Sequence, residues 1–209
     1  MTFLGVFGKS GSQRARRIAE LASALDISVI WTSDPDDERL YDADYIHMVD
    51  CGPKESHKIA ERARKRRRHI GLDPGRSIDD FSPEEFEHLL RHSGFLFLSG
   101  KHTKKALHHI QTKASPADLL IFVDAVIVTC AAGTATLYAG AHAHEYSAAF
   151  DTGLAHRDHA AFEEGFTAGF YAALGHGMRL QLCGRAAMEC AACCATGRVP
   201  SWMELVIGL

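Results

Sequence analysis

The segment between Asp158 and Phe170 carries the residues most able to do chemistry, because a helix is expected to begin there. A helix N-terminus presents unpaired backbone N–H groups and the positive end of the helix dipole, and it therefore binds phosphate readily. Two carboxylates, Glu163 and Glu164, fall in this stretch. For Glu164, the role expected from the residues alone is a solvated or helix-capping carboxylate in a first turn. Glu163 is expected only to favour the helix dipole.

The cysteines near the end of the chain raise the question of a metal site. They are Cys183, Cys190, Cys193 and Cys194. A vicinal pair can bind soft metals, but zinc and iron–sulfur sites usually draw their ligands from loops. Cysteine also behaves as a small hydrophobic residue in a tightly packed helix. We expect core packing for these cysteines and assign no metal site.

Histidines and a basic run are further candidates. The chain has 13 histidines, and strand alternation would place His142 and His144 on one face, which allows weak metal affinity. Exposed or capping roles are expected for them. The basic run from Arg62 to His69 is interpreted as a solvated helix end that complements the dipole. The alternative is a surface for RNA or an acidic partner, with contacts limited to phosphates because no aromatic residues are interleaved for base stacking.

Length and composition limit the kind of fold that can position these residues. The chain has 209 residues, 46% of them hydrophobic, and a formal net charge of -3. These values predict a single domain spanning 1–209 with its own core and exclude a generally basic nucleic-acid binder. The N-terminus has its apolar part before its basic part, which is the wrong order for a secretory signal. We expect an intracellular protein, cytoplasmic by default, with no membrane span.

Strand and helix patterns alternate along most of the chain. Helices are predicted over residues 13–24, 53–68, 82–92, 102–113, 158–174 and 178–195, and strands over 3–7, 27–31, 45–49, 70–73, 95–98, within 119–129, 134–138 and 142–146. This order is typical of an α/β protein with a mostly parallel sheet covered on both faces. The last two strands, joined around Gly140, indicate an antiparallel edge.

The segment from Asp158 to Phe170 resembles the late signature of the PfkB/ribokinase family of sugar and nucleoside kinases. That signature reads Asp-Thr-Thr-Gly-Ala-Gly-Asp-Ala-Phe-x-Ala-Gly-Phe, and the register holds here without a gap. The matching residues are Asp158, Phe166, Ala168, Gly169 and Phe170. Other partial matches follow in the family's order: Asp73-Pro74-Gly75-Arg76, the segment at 95–102 where the family has a strand followed by Asn-x-x-Glu, the Val-Thr-x-Gly-like segment at 127–133 and the alanine-rich helix at 186–195.

This resemblance implies a ribokinase-like three-layer α/β/α sandwich. It also implies a nucleotide site for ATP or ADP with Mg²⁺, if the site survives. The positions that it assigns to cofactor binding are Thr129, Gly133, Ala161 and Gly165.

The departures from the family fall on chemistry. The phosphate-cradling Gly-Ala-Gly run and the catalytic aspartate correspond here to Ala161, Phe162, Glu163 and Glu164. A phenylalanine and two carboxylates are expected at the mouth of the anion site, where they oppose phosphate. The family's Asn-x-x-Glu, which organises metal and phosphates, corresponds to residues 99–102, Ser-Gly-Lys-His. The resemblance makes Glu164 the candidate catalytic base in place of the aspartate. Its extra methylene misplaces the carboxylate, and such a displacement can cost ~100-fold in rate.

A larger part of the family's site is expected to be missing. Leu4 to Gly8 resembles the later Gly-x-Val-Gly-Asp-Asp strand, so the N-terminal sugar-binding segment has no counterpart. The stretch between Ile27 and Tyr45 is too short for the second pair of lid strands, so the β lid is also expected to be absent. Without a lid, water is not excluded from the reacting groups.

These features favour a catalytically impaired PfkB carbohydrate kinase-like protein, a pseudokinase that acts as a binding or structural module, in a larger assembly or a homo-oligomer. The first alternative is an active ATP-dependent sugar or nucleoside kinase, a transferase that uses Glu164 as base. The second is a nucleotide sensor that binds adenine near Thr129 and Gly133 without chemistry. Whether the chain is an enzyme stays open at this point.

Overall fold

The computed structural model describes residues 2–111, 115–130, 133–148 and 158–207. Strands and helices alternate in this part of the chain. The strands are β1 (Phe3–Gly8), β2 (Ser28–Thr32), β3 (Tyr45–Val49), β4 (His69–Asp73), β5 (Phe95–Ser99), β6 (Ala125–Cys130), β7 (Thr134–Ala139) and β8 (His142–Ser147). The helices are α1 (Gln13–Ala24), α2 (Pro53–Lys65), α3 (Pro83–Leu90), α4 (Gly100–His109), α5 (His159–Gly175), α6 (Leu180–Ala195) and α7 (Trp202–Ile207).

All eight strands belong to one sheet, in the order β2-β1-β3-β4-β5-β6-β7-β8. The first six run parallel, and β7 and β8 are antiparallel to their neighbours. Helices α1, α5 and α6 cover one face, and α2, α3 and α4 cover the other. The expected three-layer α/β/α sandwich with a late antiparallel edge is therefore confirmed. The described residues contain no second sheet that could serve as a lid.

Local side-chain caps explain why several helices begin where they do. Ser82 accepts from the backbone N–H of Glu85, whose carboxylate accepts from the backbone N–H of Ser82, and Pro83 occupies the first helical position. This capping box satisfies donors that the helix itself cannot. Ser12 caps α1 in the same sense by accepting from Ala15. Both signals are visible in the sequence.

Some predicted boundaries were wrong, for local reasons. Helix α2 ends at Lys65, and the chain then turns through Arg67 with φ +56°, which no helix can accommodate. Helix α4 begins directly after β5, and residues 112–113 of the predicted helix lie outside the described part. The strand within 119–129 is confined to β6, because a short 3-10 helix, Pro116–Ile121, precedes it. Helix α7 was not predicted, since it has only six residues.

The basic run is partly committed to ion pairs within the chain. Arg62 pairs with Asp36 and Glu38 and lies 4.4 Å from the ring centroid of Tyr41. Arg66 pairs with the same Glu38. Arg68 donates to the carbonyl oxygen of Tyr41 at 3.0 Å and pairs with Asp44. Arg64, Lys65 and Arg67 are exposed. Part of the basic run therefore makes contacts within the chain, and part of it is exposed to solvent.

Helices α5 and α6 pack closely enough that glycine is required between them. A Cβ placed on Gly165 would lie 2.8 Å from Cβ of Cys194, and one on Gly169 would lie 2.7 Å from Cβ of Cys190. Cys183, Cys190 and Cys194 are buried, which confirms the expectation of core packing for these three. Among the described residues, no helix has the length and apolarity needed to cross a membrane.

We expect Gly165→Ala to lower the free energy of unfolding by about 1–3 kcal/mol, although alanine is the better helix former, because the added methyl overpacks the contact with α6. Urea denaturation followed by circular dichroism measures this. Gly100→Ala is the control, since its Cβ would meet no atom nearer than 3.5 Å. Equal stabilities for the two variants would contradict the close packing.

Candidate functional site

A cavity of about 750 Å³ lies where the carboxyl ends of β1, β3, β4 and β5 meet the N-termini of α1, α4 and α5. In open parallel sheets, this edge is where ligands bind. Charged and histidine side chains dominate the lining. They are Lys9, Arg14, Asp50, Arg76, Lys101, His102, His159, Glu163 and Glu164.

Arg14, near the start of α1, holds the acidic residues of the cavity floor together. Its guanidinium lies 2.6 Å from a carboxylate oxygen of Asp73, 3.3 Å from one of Glu163 and 3.9 Å from one of Asp50. Burial opposes the charge of Arg14, but these carboxylates outweigh it and raise its pKa. A buried ion cluster of this kind contributes little net stability, but removal of one member is strongly destabilising.

Asp73 is the most deeply buried member of this cluster. Burial raises the pKa of Asp73 to about 6, although Arg14 acts in the opposite direction. Asp73 also accepts from the backbone N–H of Gly75 at 3.1 Å. The aspartate therefore anchors both the turn after β4 and the guanidinium of Arg14.

The turns after β3 and β4 lock together at the cavity edge. Asp50 has φ +51°, an uncommon conformation for a residue other than glycine. Its Oδ1 accepts from the backbone N–H of Arg76 at 3.0 Å. Gly75 has φ +49°, and a Cβ there would lie 1.7 Å from Oδ1 of Asp50. The Asp-Pro-Gly-Arg segment thus needs its glycine for this close approach.

The N-terminus of α5 is occupied by carboxylates of the chain itself. Oδ1 of Asp158 accepts from the backbone N–H of Ala161 at 3.1 Å. Glu163 pairs with Arg14, lies 3.3 Å from Nε2 of His159 and accepts from the hydroxyl of Thr129 at 3.5 Å. One backbone N–H of the first turn is therefore satisfied from within the chain, and the carboxylate of Glu163 lies beside it.

Phe162 was expected at the mouth of the anion site, and this expectation is wrong. It is 2% exposed and belongs to the core between α5 and the sheet. The helix begins at His159, and its periodicity turns residue 162 toward the sheet while 163 and 164 face the cavity. Opposition to phosphate at this helix end is therefore electrostatic, with no steric part from the phenylalanine.

Glu164 lines the main cavity and also a second one of about 530 Å³. Burial raises the pKa of Glu164 to about 7, Asp158 and Glu163 act in the same direction, and Arg14 and Arg17 oppose them. A carboxyl group with this pKa is divided between its acid and base forms near neutral pH.

The residues assigned to cofactor binding do not converge on one point. Ala161 lines the second cavity, and Thr129 is buried, with its hydroxyl donating to Leu98 and Glu163. Gly133 has φ +74° in the turn before β7, and residues 131–132 of the same loop lie outside the described part. Gly165 faces α6, and close packing accounts for its glycine. The nucleotide-binding roles of these four residues stay predictions.

Ser99 and His102, which stand where the resemblance places Asn-x-x-Glu, contact each other. The hydroxyl of Ser99 and Nδ1 of His102 lie 3.0 Å apart. Ser99 is the N-cap of α4 but its side chain makes no capping bond. Burial and the neighbouring Lys101 lower the pKa of His102. His102 stands where the resemblance has a glutamate, so this position supplies no carboxylate charge to a metal ion bound to phosphates.

Sequence reasoning missed Arg14 and Asp50. One signal could have found Asp50: it directly follows the predicted strand at 45–49, and the carboxyl ends of parallel strands meet at one edge. Arg14 gave no motif of its own, because its partners Asp73 and Glu163 are far away in the sequence.

Comparison with known proteins identifies the fold to which this architecture belongs. No family model and no curated protein matches the sequence. Among solved structures, a nucleoside kinase of Methanocaldococcus jannaschii, described as an archaeal member of the ribokinase family, matches with a TM-score of 0.79 and 17% identity over 99% of this chain and 97% of that one.

Two further structures agree with it. A Burkholderia thailandensis nucleoside kinase in complex with inosine has a TM-score of 0.75 and 13% identity, over 98% of this chain and 96% of that one. A PfkB protein of Polaromonas sp. JS666 has a TM-score of 0.71 and 12% identity, over 99% of both chains. The protein therefore has the ribokinase-like fold of the PfkB sugar and nucleoside kinases.

Proposed function

We propose that this protein is a PfkB carbohydrate kinase-like pseudokinase, which binds a phosphate-bearing ligand such as ATP or ADP but transfers phosphate poorly or not at all. It would act as a binding or structural module. The structures that it resembles include nucleoside kinases, one of them in complex with ADP and inosine. The likeness supports a ligand site of this class at the carboxyl edge of the sheet.

One observation carries the impaired chemistry: a carboxylate stands beside the start of α5 where the family's signature has a glycine. This carboxylate is Glu163, which lines the cavity and is fixed on Arg14. A transferring phosphoryl group placed there would meet a like charge, at a cost on the order of 1 kcal/mol or more. Phosphoryl transfer depends almost wholly on positioning and charge stabilisation, so this helix end opposes the reaction.

The opposite side of the cavity supports retained binding. Lys9, Arg76 and Lys101 all line it, and all three side chains are exposed. Within the described residues, the side chains of these three cations make one hydrogen bond, a long one from Lys9 to the hydroxyl of Ser77 at 3.4 Å. Three cations beside the N-termini of α1 and α4 favour an anion. The ligand phosphates would therefore lie toward α1 and α4, away from α5.

We expect calorimetry to show binding of Mg-ADP or Mg-ATP, with no phosphate transfer to a panel of nucleosides and sugars in a radiolabelled-ATP assay. Lys101→Ala should weaken binding about 5-fold, the effect of an exposed charge contact worth ~1 kcal/mol. Lys104→Ala, on the same helix but outside the cavity lining, is the matched control. Phosphate transfer above the level of the no-protein control would contradict the pseudokinase proposal. Absence of nucleotide binding would exclude ATP and ADP as ligands.

The active kinase remains the second candidate because one observation favours it. Glu164 is half-buried, lines the cavity and has a pKa of about 7, which suits a general base at neutral pH. In this alternative, Glu164 takes the proton of the acceptor hydroxyl, and Mg-ATP is the phosphate donor.

The variant Glu164→Gln distinguishes the pseudokinase from the active kinase and also tests the raised pKa of Glu164. The folded protein retains a proton on Glu164 that the unfolded chain releases, so the free energy of unfolding of the wild type falls as pH rises from the ordinary pKa of 4.5 to about 7. We expect Glu164→Gln to be more stable than the wild type at pH 8 by ~1 kcal/mol, allowing for solvent screening, and equally stable at pH 4.

Glu163→Gln is the matched control for this measurement. Because it breaks the ion pair with Arg14, it should be less stable than the wild type at pH 8, the opposite direction. Denaturant melts at pH 4 and pH 8 measure both effects. If a transfer activity exists and Glu164→Gln abolishes it, the second candidate is correct.

We also propose that the protein works with a partner or as a homo-oligomer. Both β2 and β8 are sheet edges, and β2 carries Trp31 with 41% of its surface exposed. Edge strands leave backbone groups ready for pairing. For the basic run, Arg62 and Arg66 are already paired within the chain, so an acidic or RNA partner would meet Arg64, Lys65 and Arg67.

Joint substitution of Arg64, Lys65 and Arg67 by glutamine should leave stability within ~0.5 kcal/mol, as for other exposed sites. It should weaken binding to single-stranded RNA and lower the salt slope by about 2, at ~0.7 per lost phosphate contact. Fluorescence anisotropy at several salt concentrations measures this. Arg179→Gln with Arg185→Gln is the control, and equal slopes for the two variants would exclude the basic run as a binding surface.

A further inference from the structure

Three histidines meet on the surface where α2 and α3 pack together, remote in the fold from the α5 helix end. His57 lies on α2, His88 lies on α3, and His92 follows two residues after α3 ends. The ring centroids of His57 and His88 are 5.1 Å apart, and those of His88 and His92 are 4.5 Å apart. Three imidazoles therefore form one group contributed by two helices.

The closest approach in this group joins two ring nitrogens. Nδ1 of His57 lies 3.2 Å from Nδ1 of His88. With both rings neutral, this contact requires one nitrogen to carry a proton and the other to accept it. Two nitrogens bound to one zinc ion at about 2.0–2.1 Å and a tetrahedral angle would lie about 3.3 Å apart. The spacing thus fits a bound cation as well as a shared proton.

The surroundings also favour a cation. Glu61 on α2 and Glu85 on α3 act electrostatically on His57, so two carboxylates supply negative charge beside the histidines. Imidazole binds a metal ion through an unprotonated ring nitrogen. With Nδ1 of His57 on the ion, the proton lies on Nε2, which is buried and has no hydrogen-bond partner among the described residues.

We propose that His57 and His88 bind a divalent transition metal ion, Zn²⁺ or Ni²⁺, that links α2 to α3. The described residues hold no group of three or more histidine, cysteine, aspartate or glutamate side chains arranged for a metal. The proposed site has two protein ligands, and water would complete the coordination. His92 donates from Nδ1 to the carbonyl oxygen of His88 at 2.8 Å, which holds the backbone at His88.

This site does not depend on the proposed kinase-like function. Helices α2 and α3 cover the face of the sheet opposite to α1, α5 and α6. An ion there would stabilise the packing of that layer without touching the cavity at the carboxyl edge. Metal binding between α2 and α3 and nucleotide binding in the cavity can therefore be measured independently, and failure of one would not imply failure of the other.

The test uses the full chain without an affinity tag, freed of metal with a chelator and titrated with ZnCl₂ and NiCl₂ by calorimetry at pH 7.5. We expect one ion per chain and a rise in melting temperature on addition of Zn²⁺. His57→Ala and His88→Ala should each weaken binding at least ~10-fold, the lower limit of what even outer-shell changes cost. His88→Gln keeps a hydrogen-bond partner for His57, so a loss of binding in this variant would not come from a packing defect. We expect it to weaken metal binding as much as His88→Ala does.

His142→Ala with His144→Ala is the control, because this exposed pair on β8 has ring centroids 6.0 Å apart and should not contribute. Undiminished affinity in His57→Ala and His88→Ala would overturn the proposal, as would loss of binding in the control. Absence of any binding at millimolar Zn²⁺ would overturn it too.

Discussion

The pairing of Arg14 with buried Asp73 is the interaction on which the functional edge of this fold depends. An aspartate at the end of a central parallel strand lies in a poorly hydrated position, where its charge is costly unless a cation is near. Arg14 supplies that cation from the first turn of α1 and reaches Glu163 on α5 as well. The two helices and the turn after β4 are thereby fixed relative to one another. The arrangement of the cavity, including the carboxylates at α5, follows from this one cluster.

Much of the fold could be predicted because its causes are local. Ser82 with Glu85, and Ser12 before α1, mark helix starts by the hydrogen bonds that they make within three residues. Strand–helix alternation then implies a parallel sheet with two helical layers, and β7 and β8 complete it as an antiparallel edge. Helix α2 ended early for an equally local reason, the left-handed backbone at Arg67, but nothing in an arginine-rich run announces that conformation.

The candidate site was less predictable, because its contacts join residues far apart in the chain. Glu164 was identified because it aligns with the aspartate of the family's signature, and the structure brings it to the cavity. Arg14 was missed, since its role exists only when Asp73 and Glu163 are beside it. Phe162 was placed at the mouth of the site by its position next to Glu163, yet a helix turns neighbouring residues by about 100°, and the ring points into the core. Order along a helix start does not tell which residues face the ligand.

Helix α5 shows why fold and chemistry can diverge in one element. Its packing face, with Gly165 and Gly169 against α6, tolerates almost no added volume, so the structure constrains it strongly. Its first turn faces a cavity open to water, where a carboxylate such as Glu163 is tolerated once Arg14 is near. A lid would exclude water and strengthen every charge interaction at that turn, and the described residues provide no strand for one. Without such exclusion, backbone amides at α5 stabilise phosphate only weakly. The chain's own Asp158 can then occupy them at little cost to ligand binding near α1 and α4.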